Sequence, residues 1–291
     1  GEAAPYPGVT PDSIDDAWTT LERGSVLSPT ATAAVNEATT DLSARRDGKP
    51  LWEFIGGASR SVPTSIAVGL DEDPVSRIAA TGAEGVKLKI TPGSDIARVR
   101  DVRSAFPDLL IGVDANGSYR WEDRSSLLAM DTMGVEYIEQ PFPADDLESH
   151  ARLRDEVFAS VALDEPIDSE TAAIRAIEAG ACDLLVVKPA RVGMTAARVI
   201  HDLALAAGLR IKASGLLETE IGRAFTFGIA MLPGATFSDV AEALWYLDGS
   251  ITGEQDALST ADAIGIGFDP DPAAFARYVV RASDLGSRIW D

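Results

Sequence analysis

From Val62 onward one pattern repeats: a short, almost uninterrupted apolar run, then a helical stretch. The runs cover 64–69, 85–90, 109–114, 136–139, 161–164, 183–188, 210–214 and 236–239. Strands that are apolar on both faces belong in parallel sheets covered by helices. The helix signals fall between the runs. Asp73-Pro74 offers an N-cap with proline at the first helical position. Ser94-Asp95 opens a helix over 96–106, Gly180 closes one over 171–179, and Thr195 opens one that runs to Ala207 and stops at Gly208. Eight strands with seven interleaved helical segments predict an α/β fold of the (β/α) barrel kind. A doubly wound sheet would want a glycine-rich phosphate turn after its first strand, and no GxGxxG or GxxxxGKS/T occurs.

The predicted barrel, 63–245, is flanked by two smaller pieces. In 1–62, Pro5, Pro7 and Pro11 precede a helix capped by Asp12 or Ser13, and a second helix over 30–46 ends at Gly48 and Pro50. This piece shows no strand alternation and reads as mainly helical, with Trp52 and Phe54 placed to pack it on the barrel. In 246–291, Gly249, Gly253, Gly265 and Gly267 precede Asp269-Pro270-Asp271-Pro272 and a helix over 273–282. This tail is expected to fold back on the cap and barrel.

The chemistry sits at the strand ends. Lys89, Asp114, Glu139, Asp164 and Lys188 follow one another at spacings of 25, 25, 25 and 24 residues. One βα unit is that long, so the five take equivalent places on consecutive strands, on the rim where barrel enzymes keep their active sites. Three neighbouring carboxylates repel one another in a low-dielectric site and need a cation. Oxygen ligands without His or Cys favour Mg²⁺. The two lysines flank the carboxylate arc and would face each other across the metal. Lys87 shares the face of Lys89. It serves either as a neighbouring cation, which lowers a lysine's pKa as a lysine base requires, or as the partner of a strand-end carboxylate. A metal opposite a base suits proton abstraction beside a carboxylate.

Composition narrows the partners. Asp plus Glu is 46 and Lys plus Arg is 25, a net charge of −21 that argues against nucleic acid or an anionic membrane. The lone Cys182 excludes an intramolecular disulfide and a cysteine zinc site, fits a cytoplasmic home, and reads as packing. With only His150 and His201 a histidine-rich metal site is excluded, and His201, mid-helix, reads as structural. No apolar run approaches the roughly 18 residues of a membrane span, and no signal peptide is read.

Val86-Lys87-Leu88-Lys89 resembles the KxK strand of the enolase superfamily. Val113-Asp114-Ala115-Asn116, Ile138-Glu139-Gln140-Pro141 and Leu163-Asp164-Glu165-Pro166 resemble its three metal-ligand motifs, and Val187-Lys188-Pro189 its opposing lysine. The match spans most of 30–245 and its order is that of the muconate lactonizing subgroup. It most resembles the o-succinylbenzoate synthases of actinobacterial type. The resemblance implies a (β/α)7β TIM-type barrel with a small N-terminal α+β capping domain, incomplete here. Residues 1–8 are similar to the end of that cap's sheet, so its first strands and a mobile specificity loop are expected to be missing before Gly1. The implied activity is a lyase reaction using Mg²⁺, with Mn²⁺ as substitute. It dehydrates 2-succinyl-6-hydroxy-2,4-cyclohexadiene-1-carboxylate to o-succinylbenzoate, toward menaquinone. Lys89 would take the proton α to the ring carboxylate and return it to the leaving hydroxyl. Asp114, Glu139 and Asp164 would hold the metal. Lys188 would stay cationic on the other face, in cation–π contact with the ring. Ser214-Gly215-Leu216-Leu217-Glu218 resembles the segment that receives the succinyl end. Asn116 and Glu165 read either as supports of the ligands or as loop caps. Arg191 reads as a surface ion pair rather than a carboxylate binder, and Trp245 and Tyr246 as core rather than a ligand stack.

The rival on the same site is 1,1-proton transfer between the two lysines, as in N-succinylamino acid racemases and dipeptide epimerases. The epimerases typically carry Asp-x-Asp on the eighth strand, where Thr236-Phe237-Ser238-Asp239 has one Asp. A rival of another class is a non-catalytic barrel that binds a metal or a carboxylate ligand. In each case the partner is a small carboxylate, and the oligomeric state stays open.

Overall fold

The computed structural model describes residues 1–23, 26–59, 61–247, 249–252, 262–279 and 282. Three helices lead: α1 (Ile14–Arg23), α2 (Pro29–Arg46) and α3 (Leu51–Phe54). The alternating part then runs β1 (Ser65–Val68), α4 (Pro74–Thr81), β2 (Gly85–Lys89), α5 (Ile96–Ala105), β3 (Leu110–Asp114), α6 (Arg124–Asp131) and β4 (Tyr137–Glu139). It continues through α7 (Leu147–Arg154), β5 (Ser160–Leu163), α8 (Glu170–Glu178), β6 (Leu184–Val187), α9 (Pro189–Ala206), β7 (Arg210–Ala213) and α10 (Glu220–Ala230), and a short α11 (Pro272–Phe275) follows. The expected caps are present: the Asp73 carboxylate accepts Ser76 N–H at 2.9 Å and that of Asp95 accepts Ile96 N–H at 2.7 Å.

All seven strands are parallel and lie in chain order. The register sets Lys89 beside Asp114 and Asp114 beside Glu139. The predicted eighth strand is irregular: beyond one bridge, Ile211 to Ala235, it forms no ladder among the described residues. It nevertheless closes the ring. Asp239 N–H donates to Ala213 O at 2.9 Å, while Ser65 N–H donates to Val240 O at 2.7 Å on the β1 side. The cause lies in Ser238. Its Oγ accepts Ala213 N–H at 3.0 Å, a donor that a regular ladder would give to backbone.

Inside the barrel, side chains two residues apart share a face and form layers. The lower layer is apolar, with the Tyr137 and Phe237 rings 5.6 Å apart. It fits because Gly85 and Gly112 lack side chains: a Cβ at either would collide with the Phe237 or Tyr137 ring. Two residues further along these strands the interior turns charged, with Lys87, Asp114, Glu139, Lys212 and Asp239.

The helical piece docks through α2 onto α9. The Asn36 side chain accepts Thr195 N–H at 2.8 Å and donates to Thr195 Oγ1 at 2.9 Å. The helix expected from Thr195 in fact starts at Pro189 and breaks at Gly193, whose φ of 78° suits glycine. Asn36, from another part of the chain, therefore caps the straight portion. The Trp52 and Phe54 rings pack on the core beside Leu51 and Ile55. The tail returns along the same piece: Ile266 N–H donates to Asp41 at 2.8 Å and Arg45 to Phe268 O at 2.8 Å. The helix expected over 273–282 is α11 plus one 3-10 turn, Ala276–Tyr278; positions 280 and 281, like Gly253, lie outside the described residues. Among the described residues no helix is long and apolar enough to cross a membrane.

Candidate active site

The strand ends bring Lys87, Lys89, Asp114, Glu139, Asp164 and Lys188 to one rim. Lys89 Nζ lies 2.7 Å from Asp114 Oδ2 and 2.5 Å from Asn116 Oδ1. Across the rim Lys188 Nζ lies 2.6 Å from Asp164 Oδ2. Lys87 is the ion-pair partner: its Nζ sits 3.1 Å from Asp114, 3.0 Å from Glu139 and 2.7 Å from Asp239. Burial opposes its charge, but these three carboxylates hold its pKa well above the ordinary lysine value. Burial likewise opposes ionisation of Asp114, yet Lys87 and Lys89 pull it down to about 2. Lys188 and Arg191 outweigh burial at Asp164 and keep it far below the usual carboxylate range. At Glu139 burial wins over Lys212 and Lys87 and lifts the pKa to about 7.

Two expectations fail here. Arg191 is not a surface pair; its guanidinium is buried and donates to Asp164 Oδ1 at 2.9 Å and to Asp164 backbone O at 2.8 Å. Helix α9 begins immediately after Lys188, so its first turn carries Arg191 back to the end of β5. Tyr246 is not plain core: its hydroxyl accepts Ala67 N–H at 2.7 Å and its ring lines the cavity over the rim. The structural readings of His201 and Cys182 agree with burial, the His201 ring nitrogen lying 2.8 Å from Pro233 O.

The sequence places Lys212 and Ser214 at the end of the seventh strand but does not reveal the buried cluster they form with Glu139 and Asp239 beneath the rim. Lys212, wholly inaccessible, lies 2.9 Å from Glu139 Oε2 and 2.7 Å from Asp239 Oδ2, and Ser214 Oγ donates to the same Asp239 oxygen at 2.8 Å. A lysine amid the apolar run Ile211-Lys212-Ala213 was the available signal. Gln140 was also missed. It holds φ at 42°, a left-handed conformation that costs on the order of 1–2 kcal/mol for a residue with a side chain. Its amide compensates by accepting Asp164 N–H at 3.0 Å and donating to Phe142 O at 3.0 Å, tying the ends of β4 and β5. Asn116 is also left-handed, with φ 44°, and its Nδ2 donates to Glu165 Oε1 at 2.8 Å.

A cavity of about 820 Å³ opens over this rim. Lys89, Lys188, Asn116, Glu165, Ser214 and Gly215 all reach it, while Tyr6, Val9, Leu217 and Tyr246 supply apolar wall. Among the described residues no three His, Cys, Asp or Glu side chains are gathered into a metal-chelating cluster as they stand. The rim carboxylates hold ammonium and guanidinium groups instead. The donor set Asp114, Glu139 and Asp164 is all oxygen and anionic, and that chemistry suits a hard divalent cation.

Known proteins resemble this chain in sequence and fold. The family "Enolase C-terminal domain-like" matches residues 72–274, and "Mandelate racemase / muconate lactonizing enzyme, N-terminal domain" matches 5–56. An o-succinylbenzoate synthase from Geobacillus kaustophilus is 36% identical over 261 residues, spanning 85% of this chain and 70% of the relative. An N-succinylamino acid racemase from Thermus thermophilus is 36% identical over 244 residues, spanning 81% and 66%. A solved enolase-superfamily member from Listeria innocua has a TM-score of 0.79 at 27% identity, over 95% of this chain and 84% of that one. The chain belongs to the enolase superfamily, among relatives that include o-succinylbenzoate synthases.

Proposed function

We propose that this chain is a divalent-metal-dependent carbon–oxygen lyase that dehydrates 2-succinyl-6-hydroxy-2,4-cyclohexadiene-1-carboxylate to o-succinylbenzoate, a step toward menaquinone. The observation that carries this reading is the opposition of Lys89 and Lys188 across one cavity, with Asp114, Glu139 and Asp164 between them. These three carboxylates would hold Mg²⁺, or Mn²⁺ in its place; when bound, the cation supplies Lewis-acid stabilisation of negative charge on the substrate carboxylate.

The chain's own groups handle the protons. Lys89 in its neutral form takes the proton α to the ring carboxylate, and the C–H electrons move into the adjoining carboxylate. The same ammonium then protonates the leaving hydroxyl as those electrons return to form the ring double bond, releasing water. Acting from one side, Lys89 makes the elimination syn. Lys188, held by Asp164 on the other side, stays cationic and faces the ring. Asn116 keeps Lys89 aimed by accepting from its ammonium, and Glu165 holds Asn116 in turn.

Turnover of the cyclohexadiene acid in Mg²⁺, followed by ultraviolet absorbance beside Lys188→Arg, tests this. Dehydration that survives in the variant supports both the activity and a purely cationic Lys188. No dehydration in the unmodified chain sinks the lyase reading. The second reading, racemisation of N-succinylamino acids with Lys188 as the second acid/base, is favoured by the Thermus relative's equal identity of 36%. It predicts α-proton exchange that Lys188→Arg abolishes on one face.

A further inference from the structure

We propose that His150 is a positioning residue: its bare Nε2 orients the Gln140 amide, which in turn holds the carboxylate-bearing ends of β3, β4 and β5 in register. The inference rests on the reading above that Asp114, Glu139 and Asp164 hold a divalent cation.

Gln140 is the joint between those three strands. Its backbone N–H donates to Ala162 O at 2.8 Å, and its backbone O accepts Gly117 N–H at 2.8 Å. Its side-chain Oε1 accepts Asp164 N–H at 3.0 Å, and its Nε2 donates to Phe142 O at 3.0 Å. The left-handed backbone, with φ 42°, is strained, and such a residue persists only where its surroundings over-determine it. His150 belongs to those surroundings. It lies on α7 with none of its surface exposed, outside the lining of the cavity. Its Nδ1 is 2.7 Å from Asp146 O, and its Nε2 is 3.4 Å from both Phe142 N and Gln140 Nε2. The ring stands edge-on to Phe142, with centroids 5.3 Å apart.

Backbone groups dictate where the protons sit. Asp146 O can only accept, so Nδ1 carries the proton. Phe142 N–H can only donate, so Nε2 is bare. Asp164 N–H and Phe142 O fix the two ends of the Gln140 amide in the same way. The second N–H of that amide is then left for the bare imidazole nitrogen. One lone pair serves two donors, in keeping with two long separations. Turning the Gln140 amide over would set donor against donor at Asp164 and acceptor against acceptor at Phe142. Removing the bare nitrogen would leave two buried donors unsatisfied and loosen the amide that Asp164 relies on. Burial pushes the imidazole's pKa down, against its contacts with Asp146, and so favours the neutral ring.

The first test is ¹⁵N NMR of the histidine-labelled chain at pH 7, with the signals of the two histidines told apart by His150→Gln. The expected tautomer has its proton on Nδ1; a proton on Nε2 overturns the proposal. This is read on the unmodified chain, so it decides even where a variant fails to fold. His150→Asn keeps a donor for Asp146 O but has nothing at the Nε2 position, whereas His150→Gln places an amide oxygen there. In a paramagnetic-resonance titration His150→Asn should weaken Mn²⁺ binding about 10- to 100-fold, and His150→Gln should stay within about 3-fold of the unmodified chain. In a Gln140→Gly background His150→Asn should matter by less than about 3-fold, because the group it acts through is gone. Unchanged affinity in His150→Asn, equal losses in the two variants, or a full loss without Gln140 overturns the proposal. Hydrogen exchange at the Asp164 amide reads the same contacts without metal, and should run about 3- to 10-fold faster in His150→Asn than in His150→Gln. That exchange pattern in a chain that binds no Mn²⁺ would retire the metal reading and leave the role of His150 standing; Mn²⁺ binding with unchanged exchange would do the reverse.

Discussion

Glu37→Gln should stabilise the protein at alkaline pH and leave it unchanged in acid. Glu37 lies on α2 with none of its surface exposed. Its Oε2 accepts Glu2 N–H at 2.9 Å, and its Oε1 is buried without a hydrogen bond among the described residues. Burial lifts its pKa from 4.5 to about 8; the Glu2 N–H and the ammonium at Gly1 oppose this, while the Glu218 and Glu2 carboxylates add to it. Between these two values the folded chain keeps a proton that the unfolded chain has released. Each pH unit in that window therefore favours unfolding by about 1.4 kcal/mol, and the full window by about 4–5 kcal/mol. The stability is present below the unfolded pKa and is lost as pH rises toward the folded one. Glutamine keeps an acceptor for Glu2 N–H and carries no charge to desolvate. Urea denaturation of both proteins from pH 4.5 to 8.5 should show a gap that opens with pH and approaches about 4–5 kcal/mol. A gap that stays constant across the range would refute the reasoning, because it would mean that Glu37 does not hold a proton in the folded state.

Lys89→Ala should lower kcat on the cyclohexadiene acid by about 10²–10⁴-fold while o-succinylbenzoate still binds, as steady-state rates and calorimetry would show. Asp164→Asn should weaken Mn²⁺ binding by at least about tenfold in a paramagnetic-resonance titration; unchanged affinity would remove Asp164 from the metal set. Lys212→Met should destabilise the chain by about 3–5 kcal/mol in urea, since Glu139 and Asp239 lose a buried partner, and adding Asp239→Asn should recover part of that loss.

The rim residues were legible in the sequence because one βα unit has a nearly constant length. Charged residues in phase with that length must fall on equivalent strand positions, and the register of Lys89, Asp114 and Glu139 follows. The helix caps at Asp73 and Asp95 were equally legible, since each acts within its own first turn. Arg191 was misread because its partner Asp164 stands 27 residues away and meets it only when α9 starts directly after β6. The bend at Gly193 was hidden for a similar reason: the cap on Thr195 comes from Asn36, 159 residues upstream.

The sequence by itself determined the alternating barrel plan and the order of five ionisable side chains along its rim. These depend on apolar periodicity and segment length, which are local properties of the chain. Tertiary structure decided which charge faces which. Lys212 meets Glu139 and Asp239 only because the irregular segment 235–240 closes the ring between β7 and β1. The guanidinium of Arg223 is likewise fixed by Ala241 O and the Tyr246 ring beyond that closure. Electrostatic partnership is set by distance and burial, and both come into being only when distant segments pack together.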